Sequence, residues 1–145
     1  MKQYVLDASV AAKWFLRGAD ETLLEEAMDV LRLHVARQVE FLVPDLFFAE
    51  LANLLWRAER RGRCDRETTD GGLSRTVGLN MPSYDSGELA PKAVSIARAI
   101  GVSVYDGIYL ALSEDAGATL LTADEKLARA ARGRPVVWLG ALQRV

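Results

Sequence analysis

Short apolar runs alternating with longer helical stretches constrain this chain most. Tyr4-Val5-Leu6, Phe41-Leu42-Val43, Thr119 to Thr122 and Val136 to Leu139 each read as a short buried strand. Helical patterns fill the intervals. One runs from about Ser9 to Leu16 and stops at Gly18. A second is capped by Asp20 and reaches about Arg37, with Glu21, Glu25 and Glu26 early and Arg32 and Arg37 late, as the helix dipole favours. A third starts at Pro44-Asp45 and ends near Arg61 before Gly62. Asp65 caps a further helix that Gly71-Gly72 weakens by roughly 1 kcal/mol per glycine. Asn80 to Gly87 reads as a loop. Helices follow from Glu88 to Ile100, from Asp106 to Asp115 and, briefly, from Asp124; Val102 to Val104 is too short to assign. Such alternation predicts one α/β domain over residues 1–145, a short parallel sheet with helices on both faces. A chain of this length buries one substantial core.

Four carboxylates stand in awkward places within this pattern. Asp7 ends the run VLDASV, Glu50 interrupts LFFAELANLLW, Asp106 sits in VYDGIYLAL and Asp124 in LLTADEKL. Ligands of open α/β sheets bind beyond the carboxyl ends of the strands, so all four acids are placed to share one rim. Each has an ordinary explanation. Asp7, Asp106 and Asp124 precede helices and are placed to cap free N–H groups. Glu50, among Leu46, Phe47, Leu51 and Leu54, would pair with Arg57 or lie on a polar stripe with Asn53. Jointly the pattern is harder to dismiss. Acids about 4 Å apart repel by about 4 kcal/mol per pair at an effective dielectric near 20, and a divalent cation removes that repulsion.

An all-oxygen ligand set without Cys or His favours Mg²⁺ or Mn²⁺. Such an ion lowers the pKa of bound water and stabilises charge on phosphoryl oxygens, which fits phosphodiester hydrolysis. Ser9 and Thr122, each two residues from an acid, offer hydroxyls that orient a carboxylate or a water, or merely close turns.

These four segments, in this order, resemble the PIN domain, specifically the VapC-like toxins of bacterial and archaeal toxin–antitoxin pairs. The resemblance spans essentially the whole chain. It implies a Mg²⁺- or Mn²⁺-dependent endoribonuclease in which Asp7, Glu50, Asp106 and Asp124 hold the metal and direct hydrolysis of RNA, with Ser9 and Thr122 beside them. It also implies a cognate antitoxin and a homodimer. The helices from Ser9 to Leu16 and from Leu46 to Ala58 are candidate walls for an antitoxin groove.

RNA requires local positive charge, because the whole chain carries −2 with a pI near 5.5. Arg57, Arg60, Arg61, Arg63 and Arg66 provide it in WRAERRGRCDR, and Lys126, Arg129, Arg132 and Arg134 add to it near the C-terminus. Trp14, Phe15, Phe47, Phe48 and Trp56 read as core or interface rather than base-stacking surfaces. His34 reads as a surface imidazole without chemistry, and the single Cys64 as an unreactive thiol in a reducing cytosol. No run approaches the ~20 apolar residues that span a bilayer, so a cytoplasmic protein is expected. Two other readings compete. A haloacid-dehalogenase-like phosphatase also has an Asp after its first strand, but needs a second acid where Ser9 stands. A receiver-like signalling module needs paired acids where LDAS offers Asp7 alone.

Overall fold

The structure is a computed structural model describing residues 1–142. Five strands form one sheet: β1 (Lys2–Leu6), β2 (Val39–Pro44), β3 (Ser83–Tyr84), β4 (Thr119–Thr122) and β5 (Val136–Trp138). Their spatial order is β3-β2-β1-β4-β5, and every pairing is parallel. The helices are α1 (Ala8–Ala12), α2 (Leu24–Val35), α3 (Leu46–Arg60), α4 (Arg66–Val77), α5 (Ser86–Ile100), α6 (Val104–Ala116) and α7 (Glu125–Ala130), before a 3₁₀ turn at Leu139–Ala141. With the right-handed crossovers that parallel strands favour, this strand order sends α1 to α4 to one face and α5 to α7 to the other. The expected parallel α/β architecture is the one found. Central strands covered on both faces carry continuous apolar runs. Val5, Leu6, Phe41, Val43, Leu120 and Leu121 are accordingly buried to the last few per cent of their surface.

The winding direction reverses at β1. From there the chain steps outward to β2 and β3, then returns across the sheet to β4 on the other side of β1. The carboxyl ends of β1 and β4 thus flank the switch point where a crevice opens. Asp7 follows β1 there, its N–H donating to the Leu121 carbonyl at 3.0 Å.

Several element boundaries differ from expectation, each for a local reason. The segment Asn80–Gly87 contains β3, whose two residues dock on β2 through Val43 N–H to Pro82 O and Asp45 N–H to Tyr84 O. A two-residue strand has no hydrophobic period to read. Helix α1 ends at Ala12, because bonds from Lys13, Trp14 and Phe15 to carbonyls three residues back tighten the chain into turns. Asp20 is not a cap: α2 begins at Leu24, and Lys13 Nζ holds the preceding loop by bonding Thr22 O at 2.7 Å and Glu21 at 3.4 Å. The α6 cap is Ser103, whose hydroxyl accepts from Asp106 N–H at 3.1 Å, so Asp106 lies in the first turn rather than before it. His34 is not a free surface ring. It stacks on Phe41 with centroids 4.5 Å apart, and its Nδ1 is buried without a hydrogen-bond partner.

Trp14, Phe47 and, in part, Phe15 and Phe48 join the core, whereas Trp56 is 49% exposed. Among the described residues no single helix is long and apolar enough to cross a membrane.

Helices α5 and α6 meet through Gly101, a left-handed cap at φ +74°, and their axes turn by 111°. At their contact a Cβ on Gly107 would lie 2.5 Å from the Ala93 carbonyl oxygen, so only glycine permits this approach. The neighbouring residue is Asp106, which makes this packing a determinant of the site. Gly107→Ala is expected to lower stability by about 1–3 kcal/mol through overpacking. Urea denaturation of the two proteins reads the difference, and an unchanged midpoint would show that the helices separate freely.

Candidate functional site

The geometry is built outward from Asp7, 7% exposed at the end of β1. Its Oδ2 accepts hydrogen bonds from Thr122 Oγ1 at 2.6 Å and Ser9 Oγ at 2.9 Å. Those hydroxyls are fixed in turn by the backbone. Ala123 N–H donates to Ser9 Oγ at 3.0 Å, and Asp124 N–H donates to Thr122 Oγ1 at 3.0 Å. The two hydroxyls bridge the β1 and β4 edges and aim one carboxylate. Ser9 and Thr122 therefore both orient an acid and close turns.

Asp124 combines the two roles considered for it. It caps α7, accepting from Leu127 N–H at 3.2 Å, and its charge still acts on Asp7 and Asp106. Glu50 projects from the second turn of α3, and its partner is not Arg57. Tyr109 Oη donates to Glu50 Oε2 at 2.8 Å from α6 on the other side of the cleft. Tyr109 is almost wholly buried, and sequence reasoning missed it. Its signal was present: it follows Asp106 by three residues, and helical neighbours at that spacing share a face.

The acids sense one another. Burial pushes the Asp106 carboxyl up to about 6, with repulsion from Asp7 and Asp124 adding to it. Burial also raises Glu50, aided by Asp7 and Asp106 and opposed by the Tyr109 hydroxyl. Asp7 is raised by burial, against the hydrogen bonds from Thr122 and Ser9, with a further push from Asp124. Asp7, Glu50, Asp106 and Asp124 thus lie near enough around the β1–β4 crevice for their charges to act on their neighbours. Among the described residues, however, no three Asp, Glu, His or Cys side chains converge into a ready-made metal cage. The cleft is an open acidic rim. Its all-oxygen donors fit a hydrated hard cation held through one or two carboxylates, with waters completing the shell.

A groove of about 350 Å³ between α1 and α3 is lined by Ser9 and Asp124 from this rim and by Arg57, Arg61 and Arg63. Arg63 is tied to Glu21 at 2.8 Å. Arg57 and Arg61 also line a neighbouring depression with Arg60. Of the C-terminal cations, Arg129 pairs with Glu125, and Arg134 pairs with Glu114.

Parallel strands presenting carboxylates at a topological switch point define an open α/β protein with an acidic active-site-like crevice. The chain matches the PIN domain family over residues 4–133 and belongs to that family. It is 33% identical over 128 residues to Ribonuclease VapC3 of Pyrobaculum aerophilum, covering 86% of this chain and 91% of that protein. It is 30% identical over 129 residues to Ribonuclease VapC3 of Mycobacterium tuberculosis, covering 89% and 88% respectively. The crystal structure of PAE2754 from Pyrobaculum aerophilum has the same fold, with a TM-score of 0.69 and 21% identity over 94% of this chain and 84% of that one. Family membership displaces the phosphatase and receiver readings.

Two consequences follow for stability without added metal. An acid whose folded pKa is raised binds more protons folded than unfolded, so its contribution falls as pH rises through the window between the two values. For Asp106 that window runs from 3.8 to about 6. Asp106→Asn is therefore expected to raise thermal stability in chelator at pH 7–8 and to be neutral near pH 4; an advantage that persists unchanged at pH 4 would contradict the raised Asp106 carboxyl, which burial and its acidic neighbours produce. Tyr109→Phe removes a hydrogen bond to the ionised Glu50. A loss of about 1–3 kcal/mol is expected at neutral pH, shrinking as Glu50 protonates. An equal loss at both pH values would assign Tyr109 to packing alone.

Proposed function

We propose that this chain is a metal-dependent endoribonuclease, the toxin of a toxin–antitoxin pair. The observation that carries the reading is the group of four mutually repelling carboxylates at the β1–β4 switch point. The relatives named Ribonuclease VapC3, matched over nearly their whole length, support the RNA-cleaving activity.

In this reading Asp7 and Asp106, with Glu50 and Asp124 beside them, hold Mg²⁺ or Mn²⁺. The bound ion supplies a water of lowered pKa and charge stabilisation at the phosphate. The chain's own side chains do the positioning. Ser9 and Thr122 hold Asp7 in one rotamer, and Tyr109 holds Glu50. Arg57, Arg61 and Arg63 on the groove, with Arg60 next to it, draw the RNA backbone toward an otherwise repulsive acidic rim.

A cognate antitoxin silences the site by laying a segment in the groove between α1 and α3 and placing a basic group among the acids. The toxin works as a homodimer and acts in the cytoplasm, where its RNA substrate is.

The test is cleavage of RNA with mapped product ends. Wild-type chain is expected to cut at defined positions with Mg²⁺ or Mn²⁺ and to stop in excess chelator. Asp7→Asn is expected to fold, as circular dichroism shows, and to cut no faster than background. Cleavage by that folded variant at the wild-type rate, or undiminished cleavage in chelator, would overturn the reading.

A further inference from the structure

Trp56, like Tyr84 and Tyr105, is an aromatic side chain that the core does not explain, and it alone of the three stands among arginines on α3. Of the three tryptophans, Trp14 is 5% exposed, hydrogen-bonded to Ala27 O and stacked on Phe41, whereas Trp56 leaves 49% of its surface in water. It lies on the outer face of α3 with Asn53, Arg57 and Arg60, all exposed, two turns beyond Glu50. The Arg60 guanidinium sits 5.7 Å from its ring centroid.

Charge says what this face meets. Arg63, Arg129 and Arg134 each have a carboxylate partner, but Arg57, Arg60 and Arg61 make no ion pair among the described residues. Arg57 and Arg61 line both the groove that starts at Ser9 and Asp124 and the depression that holds Arg60. A positive track therefore runs from the acidic rim over the end of α3, and it ends beside an exposed indole. A second copy of the chain packed symmetrically on this face would bring these cations against each other. A polyanion carrying flat apolar rings suits it.

We propose that Trp56, flanked by Arg57 and Arg60, is a stacking platform for an unpaired base of single-stranded RNA, the strand leaving the cleft along the arginine track. The proposal rests on the ribonuclease reading and extends it to the form of the substrate: unpaired rather than duplex on this side of the cut. Stacking on an aromatic ring tolerates any base, because every base has a π-face, so Trp56 contributes affinity and register rather than sequence choice.

The test measures binding of a single-stranded oligoribonucleotide to the full chain carrying Asp7→Asn, which keeps the RNA intact. Adding Trp56→Ala is expected to weaken binding about tenfold or more with the salt dependence unchanged, while Trp56→Phe retains most of the affinity. Replacing Arg57 and Arg61 is expected instead to flatten the salt dependence. An RNA with one abasic position, scanned along the strand, is expected to erase at a single site the difference between the chain that keeps Trp56 and the one carrying Trp56→Ala. Equal affinity of the Trp56→Ala chain, equal losses for single-stranded and duplex RNA, or a change in solution mass on substitution would each overturn the proposal; the last marks Trp56 as a contact between copies. RNA cleavage that survives Asp7→Asn instead sinks the assignment of cleavage to the acidic rim, and shows itself as degraded probe.

Discussion

Repulsion among clustered carboxylates, with Asp7 buried at their centre, is the constraint on which the rest of this molecule depends. Asp7, Glu50, Asp106 and Asp124 come from four separate segments, and folding brings them together against their own electrostatics. Near neutral pH the protein tolerates this because hydrogen bonds hold three of the four acids in place. Thr122 and Ser9 bond Asp7, Tyr109 bonds Glu50, and a backbone N–H of α7 bonds Asp124. None of these groups brings a positive charge. The acids are oriented by neutral donors and left without a cationic partner, an arrangement suited to attracting a cation rather than to satisfying a fold.

Sheet topology explains why they meet. Reversal of winding at β1 puts the ends of β1 and β4 side by side, and two hydroxyls stitch them together. Glu50 enters from α3, after β2, while Asp106 and Tyr109 enter from α6, whose angle to α5 depends on the close approach at Gly107. A change at that glycine thus reaches the cleft through backbone geometry, without touching an acid. Arginine placement follows a similar division. Those with acidic partners brace loops and helix ends, whereas Arg57, Arg60 and Arg61 stand together at the end of α3, beside the groove that reaches the rim.

Much of this was legible in the residues. Apolar runs marked β1, β2, β4 and β5, glycines marked the ends of α5 and α6, and acids at the ends of those runs marked the crevice. What escaped notice has physical reasons. Strand β3 is two residues long and is held by backbone bonds, which leave no side-chain pattern. The end of α1 is set by a run of tight backbone turns, and the loop before α2 by contacts of the Lys13 ammonium, rather than by side-chain propensity. Ser103 displaced Asp106 as the α6 cap, because its hydroxyl accepts from the Asp106 N–H and so starts the helix three residues earlier. Tyr109 was hidden within an apolar stretch, where a tyrosine looks like packing until its hydroxyl is traced across the cleft to Glu50. His34 reversed the expectation in the other direction, a polar ring that serves as a core surface against Phe41.

Diffraction at the manganese absorption edge, from crystals grown with Mn²⁺, tests the acidic cleft most directly. An anomalous peak is expected within direct or water-bridged reach of Asp7 and Asp106, with Glu50 still bonded to Tyr109. A fully loaded crystal with no peak in that cleft, or with the acids turned away from one another, would contradict the claim that these side chains are assembled to receive a cation.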